Sequence, residues 1–218
     1  MKTYRVNNIF YSLQGEGHNT GRTAVFVRFA GCNLRCDFCD TEFESFREMT
    51  GEEIIKECRS KCDLGITIVK PLMVLTGGEP TLQVDEELLD MLHSEGYEVA
   101  MESNGTRPAP ESLDWLTVSP KLLKGECNLR LPNREGKKPD ELKIVFDKDT
   151  DPERIAAEFG LRTDKSSVKE GDVLLYLQPC DTGDAARNAR IVAACVEYIK
   201  AHPWWRLSLQ THKLIGIE

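Results

Sequence analysis

The sequence predicts an α/β fold built on a parallel sheet. Three observations lead there. Segments of strand character alternate with segments of helical period along the 218 residues, and strands separated by helices pair in parallel. Polar or glycine-rich motifs sit directly after five of the strands, where parallel α/β folds build their sites. Apolar residues make up 40% of the chain, enough to bury one sizeable core in a single domain over residues 1–218.

The elements follow in order. Val25–Ala30 reads as a strand that ends at Gly31 and runs into a cysteine cluster. Thr50-Gly51-Glu52-Glu53 fits a capping box, Thr50 at the N-cap and Glu53 at N3, opening a helix through Ile54, Ile55 and Cys58. Pro71–Thr76 is a short apolar run closed by Gly77-Gly78, a buried strand. Asp85–Glu95 puts Leu88 and Leu92 on one helical face and stops at Gly96. Tyr97–Glu102, Trp115–Ser119 and Leu142–Phe146 are strands. Asp151-Pro152 reads as an N-cap and first helical residue, with Gly160 just past that helix. Val173–Leu177 is a strand, Gly183–Lys200 a helix and Trp205–Leu209 the last strand. Lys121–Asp140, basic and containing Pro and Gly, reads as a long loop within the domain.

Composition excludes several classes. With 28 Lys+Arg against 36 Asp+Glu the net charge is −8, a poor match to nucleic acid or an anionic membrane. The acidic balance and the lack of a basic stripe argue against direct tRNA binding. The longest apolar run, Ile191 to Val196, is far below the roughly 18 residues of a membrane span. Met1-Lys2-Thr3-Tyr4-Arg5 has no apolar segment behind it, so the expectation is a cytoplasmic protein without a secretory signal.

Eight cysteines then need a role other than an extracellular disulfide framework. Cys32, Cys36 and Cys39 form C-x3-C-x2-C. Three thiolates on one short loop suit three corners of a cubane iron–sulfur cluster and leave the fourth iron open for chemistry. A structural zinc site is the alternative, with His18 or the Cys58–Cys62 pair supplying a fourth ligand. Cys58 and Cys62, spaced i, i+4, resemble a half-site for an auxiliary cluster that no further Cys completes, so they read with Cys127, Cys180 and Cys195 as ordinary reduced thiols.

C-x3-C-x2-C with Phe38 just before the third cysteine resembles the signature of the radical S-adenosylmethionine (SAM) superfamily, and Gly77-Gly78-Glu79-Pro80 resembles its GGEP motif. Three further segments are similar to the 7-carboxy-7-deazaguanine synthase family: Ile9–Gly17 with its Leu13-Gln14-Gly15-Glu16-Gly17 end, the Phe26–Leu34 run into the cluster with Cys39-Asp40-Thr41 closing it, and the ending Trp205–Lys213 with Gln210-Thr211-His212-Lys213. That resemblance spans nearly the whole chain. It implies an incomplete (β/α)6 barrel with an N-terminal extension and a C-terminal strand. It also implies a [4Fe–4S] cluster, SAM, Mg²⁺, a pterin substrate, an external electron donor and a homodimer. A glycyl-radical activase shares the cysteine spacing and is the alternative within the superfamily.

Position by position, the resemblance assigns Cys32, Cys36 and Cys39 to the cluster and Thr41 to Mg²⁺. It assigns Phe38, Gly78, Glu102, Ser119, Pro120, Lys121, Gln178, Pro179, Cys180 and Asp181 to SAM. Leu13, Gln14, Gly15, Arg28, Thr76, His212 and Glu218 fall to the substrate. An Arg suits a substrate carboxylate, because guanidinium pairs with carboxylate in two parallel hydrogen bonds; the other reading of Arg28 is a strand residue paired to an internal acid. Thr41 equally suits a turn cap and His212 a structural hydrogen bond.

Overall fold

The computed structural model describes residues 2–36, 39, 42, 44–62, 69–123, 126–127, 136–161 and 171–218. The chain begins with strand β1 (Thr3–Leu13), which turns back into β2 (Thr23–Phe29). β3 (Arg47–Thr50) leads directly into α1 (Gly51–Cys62), followed by β4 (Leu72–Gly77), α2 (Glu86–Ser94) and β5 (Val99–Ser103). Next come β6 (Trp115–Val118), the short pair β7 (Leu122–Leu123) and β8 (Glu126–Cys127), and β9 (Glu141–Phe146). The chain closes with α3 (Pro152–Glu158), β10 (Leu174–Pro179), α4 (Ala185–Ala201), β11 (Trp205–Leu207) and α5 (Thr211–Ile215).

Nine strands form one sheet in the order β11-β10-β9-β6-β5-β4-β2-β1-β3. From β2 to β11 every neighbouring pair is parallel. The N-terminal segment is a long strand that the residue pattern did not reveal: β1 runs antiparallel to both β2 and β3. Its alternation is broken by a register shift between Val6 and Asn8, and a bulge moves every later side chain to the opposite face. The sheet keeps two edges, β11 and β3, so the barrel is open. The β5–β6 connection, residues 104–114, contains no helix. The predicted strand and helix edges otherwise lie within two residues of the observed ones. The expected Lys121–Asp140 loop holds the β7–β8 ribbon; residues 124, 125 and 128–135 lie outside the described residues.

Alternation along the parallel strands sorts side chains into two layers. Val25, Val27 and Phe29 of β2, Met73 and Leu75 of β4, and Val99 and Met101 of β5 face the helices in the main core with Ile54, Leu88 and Leu92. Their neighbours Ala24, Phe26, Leu72, Val74 and Ala100 form a second cluster with Phe10 on the other face. Phe10 and Phe26 stack there at 4.8 Å. Toward the carboxyl ends that face becomes polar, with Arg28, Thr76, Glu102, Lys143 and Gln178 on the wall of a cavity. Among the described residues no helix is long and apolar enough to cross a membrane.

Local signals hold where predicted. Thr50 Oγ1 accepts from Glu53 N at 3.3 Å, and Glu53 Oε2 accepts from Thr50 N at 2.8 Å. Asp151 accepts from Arg154 N at 3.1 Å. Gly96 at φ 81° ends α2, and Tyr97 N reaches back to Leu92 O, so the next strand starts only at Val99. Removing the α1 cap is expected to be visible: Thr50→Ala should cost about 1 kcal/mol and lower the midpoint of thermal unfolding by roughly 2–4 °C. Calorimetry on the cluster-loaded protein reads this, and an unchanged midpoint would mean that packing alone holds the helix end.

Candidate active site

The cysteine loop is held by backbone. β2 and β4 run side by side with Phe29 opposite Gly77, so the loops that follow them leave the sheet together. Gly77 adopts φ 114°, a region that favours glycine. Gly78 N donates to Phe29 O and Glu79 N to Gly31 O, both at 2.9 Å. A Cβ on Gly78 would lie 2.0 Å from Gly31 O. The glycine pair therefore serves the fit between two protein loops, in addition to the open approach that the resemblance assigns to SAM.

Glu79 completes the brace. It is fully buried, and its carboxylate accepts from Thr81 N, Thr81 Oγ1, Ser103 Oγ and Asn104 N at 2.7–3.1 Å. Asn104 Nδ2 in turn donates to Asn33 Oδ1 at 3.0 Å and lies 4.0 Å from Cys32 Sγ. The β4 turn, the β5 end and the cysteine loop thus form one bonded unit. Glu79, Ser103 and Asn104 were not singled out as individual site residues, although their motifs were. Their partners are remote in sequence, and spacing carries no trace of them.

The donor set fits an iron–sulfur cluster. Cys32, Cys36 and Cys39 all line a cavity of about 620 Å³ together with Gly77 and Gly78. Leu34 N points at Cys32 Sγ at 3.4 Å, and Cys39 N donates to Cys36 O at 3.1 Å. Among the described residues no three Cys, His, Asp or Glu groups converge on one point that could hold a single metal ion. A cubane binds one thiolate per iron corner and needs no such convergence. The zinc alternative loses its fourth ligands: His18 stacks on Trp115 at 4.6 Å, while Cys58 is in the main core with Cys62 packed against it. Cys195 is also in that core.

The same cavity gathers most of the remaining assigned residues. Leu13, Gln14, Gly15, Arg28, Thr76, Gly78, Glu102, Ser119, Lys121, Gln178, Pro179, Cys180, Asp181, His212 and Glu218 line it. Pro120 is buried and is not part of the lining. Phe38 and Thr41 lie outside the described residues. The C-terminal segment packs into the mouth. Gly15 O accepts from Thr211 N and Oγ1, and a Cβ on Gly15 would lie 2.2 Å from His212 Nδ1. Glu218 bonds through its backbone oxygen to Ser12 Oγ at 2.6 Å and through Oε1 to Asn8 Nδ2 at 3.0 Å. Arg28 lies 4.7 Å over the Phe10 ring, with Glu218 Oε1 at 3.9 Å.

A buried charged layer lies at the base of this wall. Lys143 Nζ contacts both Glu16 and Glu102. Gln14 Nε2 donates to Glu102 Oε1 at 2.8 Å, and Gln210 Nε2 to Glu16 Oε1 at 3.0 Å. Although burial opposes ionisation, the Lys143 charge and hydrogen bonds hold Glu16 down at about 2. Burial also works against the charge on Lys143, but the surrounding carboxylates outweigh it and raise its pKa. Burial, with the like charge of Lys143, lowers Lys121, which donates to Ser119 Oγ at 2.8 Å. Glu141 is different. It is 1% exposed, and among the described residues it accepts only from His18 N at 2.9 Å and its Oε1 has no hydrogen-bond partner. Burial pushes it up to about 7 against the pull of Lys143. Glu16 and Gln210 stood in segments that carried the resemblance but received no role, and Glu141 and Lys143 were missed. The available signal was Glu141-Leu142-Lys143-Ile144, where charges alternate with apolar residues inside a parallel strand.

An open run of parallel strands that brings three thiols and a double-glycine turn to one mouth is the frame of a radical SAM enzyme. The family model of the radical SAM superfamily matches residues 26–119. The chain is 43% identical to the 7-carboxy-7-deazaguanine synthase of Bacteroides thetaiotaomicron, over 98% of each chain. It is 40% identical to that of Bradyrhizobium diazoefficiens, over 99% of this chain and 100% of the relative. The fold matches the crystal structure of QueE from Escherichia coli with a TM-score of 0.72 and 25% identity, covering 95% of this chain and 93% of that one. The chain belongs to the 7-carboxy-7-deazaguanine synthase family.

Two outcomes are expected from this geometry. Gly78→Ala places a methyl group against the Gly31 carbonyl, so it should displace the cysteine loop and cut iron per protein after anaerobic reconstitution. Full iron loading in that variant would show that the loops can separate without cost. Glu141 should make stability fall as pH rises. Its folded value, about 7, lies above the usual carboxyl value. Between the two the unfolded chain has lost its proton and the folded chain keeps it, so unfolding gains on the order of 3 kcal/mol. The loss begins above the ordinary carboxyl range and is complete once pH passes the folded value; Glu16, already ionised there, adds no slope. Melting curves from pH 5 to 8 should slope downward in the wild type and flatten in Glu141→Gln, and equal slopes would refute the assignment.

Proposed function

We propose that the chain converts 6-carboxy-5,6,7,8-tetrahydropterin to 7-carboxy-7-deazaguanine, contracting the ring with loss of ammonia, in 7-deazapurine (queuosine) biosynthesis. The observation that carries this reading is the single cavity onto which the three cluster thiols, the double-glycine turn and Arg28 all open. Residues 1–218 act as one radical SAM core. When bound, the [4Fe–4S] cluster and SAM supply a 5′-deoxyadenosyl radical to this cavity.

The chain's own residues position the reactants. Cys32, Cys36 and Cys39 hold the cluster and leave one iron for SAM. Gly78 gives SAM close backbone approach, Glu102 accepts from its ribose, and Ser119, Lys121 and the Gln178–Asp181 segment line its berth. Arg28, fixed over Phe10, pairs with the substrate carboxylate, which competes with Glu218 for it. Gln14, Gly15 and His212 close on the pterin from the hairpin and the C-terminal segment. Thr41 offers a hydroxyl to Mg²⁺, a hard ion that takes oxygen ligands and keeps several waters. Holding both reactants in one buried cleft excludes water and lowers the entropic cost of the reaction. An external electron donor, a homodimer and a cytoplasmic setting belong to the same reading. The hairpin segment Leu13–Gly17 and the Gln210–Lys213 ending favour it over a glycyl-radical activase.

An anaerobic assay tests this reading: reconstituted protein, SAM, Mg²⁺, a reductant and 6-carboxytetrahydropterin, with products followed by mass spectrometry. The expected product is 7-carboxy-7-deazaguanine, absent in Cys32→Ala together with SAM cleavage. Formation of 5′-deoxyadenosine without a deazapurine would overturn the substrate and keep the superfamily. Thr41→Ala should keep its cluster and need more Mg²⁺; full activity at the usual Mg²⁺ would remove Thr41 from the metal site.

A further inference from the structure

We propose that Lys143 is a positioning residue for SAM: it pairs with the Glu102 carboxylate, holds it turned into the cavity, and ties it to Glu16. This rests on the reading above, in which Glu102 accepts from the ribose. Lys143 lies within β9, is 3% exposed, and lines the cavity that Glu16 and Glu102 also line. Its Nζ reaches Glu16 and, at 3.5 Å, Glu102. The contacts close a ring. Glu102 Oε1 accepts from Gln14 Nε2 at 2.8 Å, and Gln14 Oε1 accepts from Glu16 N at 3.1 Å. The ring joins the β1–β2 turn, β5 and β9, three elements that nothing in the local sequence aligns.

A buried lysine that served packing alone would need one counter-charge. Lys143 has two, and both open toward the space assigned to ligand. Glu102 remains a quarter exposed by its side chain, 26%, so its free lone pairs face the cavity. Removing the cation leaves two carboxylates on one desolvated floor. Unless a proton shared between them takes the place of the cation, they repel, Glu102 turns away, and the acceptor offered to a hydroxyl is lost. The other ionisable groups around the ring are Glu141 on the same strand, Lys121 after β6, His212 on α5 and Cys36 on the cluster loop.

The test is SAM binding, measured without substrate by equilibrium dialysis on anaerobic, cluster-loaded protein from pH 6 to 9. Lys143→Met should weaken SAM binding by about tenfold or more at pH 8, as loss of an orienting partner does elsewhere. The deficit should shrink toward pH 6, where a shared proton replaces the missing cation, and Lys143→Arg should restore binding without the pH dependence. Iron content and circular dichroism establish that each variant is folded. If Lys143→Met does not take up the cluster, Lys143→Gln, which keeps a donor without the charge, is read in its place. Glu102→Gln separates the two layers of the argument. Unchanged SAM affinity in Glu102→Gln would overturn the role of Glu102 and the inference with it. Weak binding in Glu102→Gln with normal binding in the Lys143 variant would overturn the inference alone. So would a deficit equal at every pH and not rescued by Arg, which is the mark of a purely structural lysine.

Discussion

The backbone contact between Gly78 and Gly31 is the constraint on which the site depends. β2 and β4 are adjacent and in register at their ends. Whatever follows one strand must therefore pass close over whatever follows the other. The cysteine loop occupies the first position and the Gly-Gly-Glu-Pro turn the second. Only a residue without a side chain lets them meet through hydrogen bonds at 2.9 Å. Glu79 then fastens the turn to Ser103 and Asn104, and Asn104 reaches Asn33 beside the first cysteine. The loop that carries the thiols is held by its neighbours, because its described residues belong to no helix or strand.

A second constraint comes from the incompleteness of the barrel. One face of the parallel strands packs against helices and can be wholly apolar. The other faces a cleft and must hold a ligand's polar groups, so charge enters a place that water reaches poorly. The structure meets this by joining Glu16 and Glu102 through Lys143 and by closing the base with the β1–β2 turn. Opposite charges at contact distance keep one another ionised despite burial, whereas Glu141, one step down the same strand, lacks an equivalent partner and retains its proton to higher pH. The protonation state of this floor is thus a property of which strands face each other.

Much of this was legible in the residues, and the exceptions have physical causes. The capping box at Thr50–Glu53, the Asp151 cap and the stop at Gly96 are local devices whose partners lie within a few residues, and all are present. Strand β1 was not legible because a bulge after Val6 breaks the alternation on which strand recognition depends. The pairing of Gln210 with Glu16 was invisible because they meet across 194 residues. Lys143 could have been noticed, since a lysine alternating with Leu142 and Ile144 in a parallel strand has to face something. Its two carboxylate partners could not have been named.

From the residues alone come the cluster loop, the alternation that makes the sheet parallel, and the position of the motifs at strand ends. Each is set by covalent spacing or by short-range hydrogen bonding, and neither changes with the rest of the fold. Tertiary structure alone decided which strand ends are neighbours, that the double glycine packs on the cysteine loop, and that Glu16 is held ionised while Glu141 keeps its proton to higher pH. Those outcomes depend on distances between groups remote in the chain and on their removal from water, and a linear order of residues specifies neither until the sheet has formed.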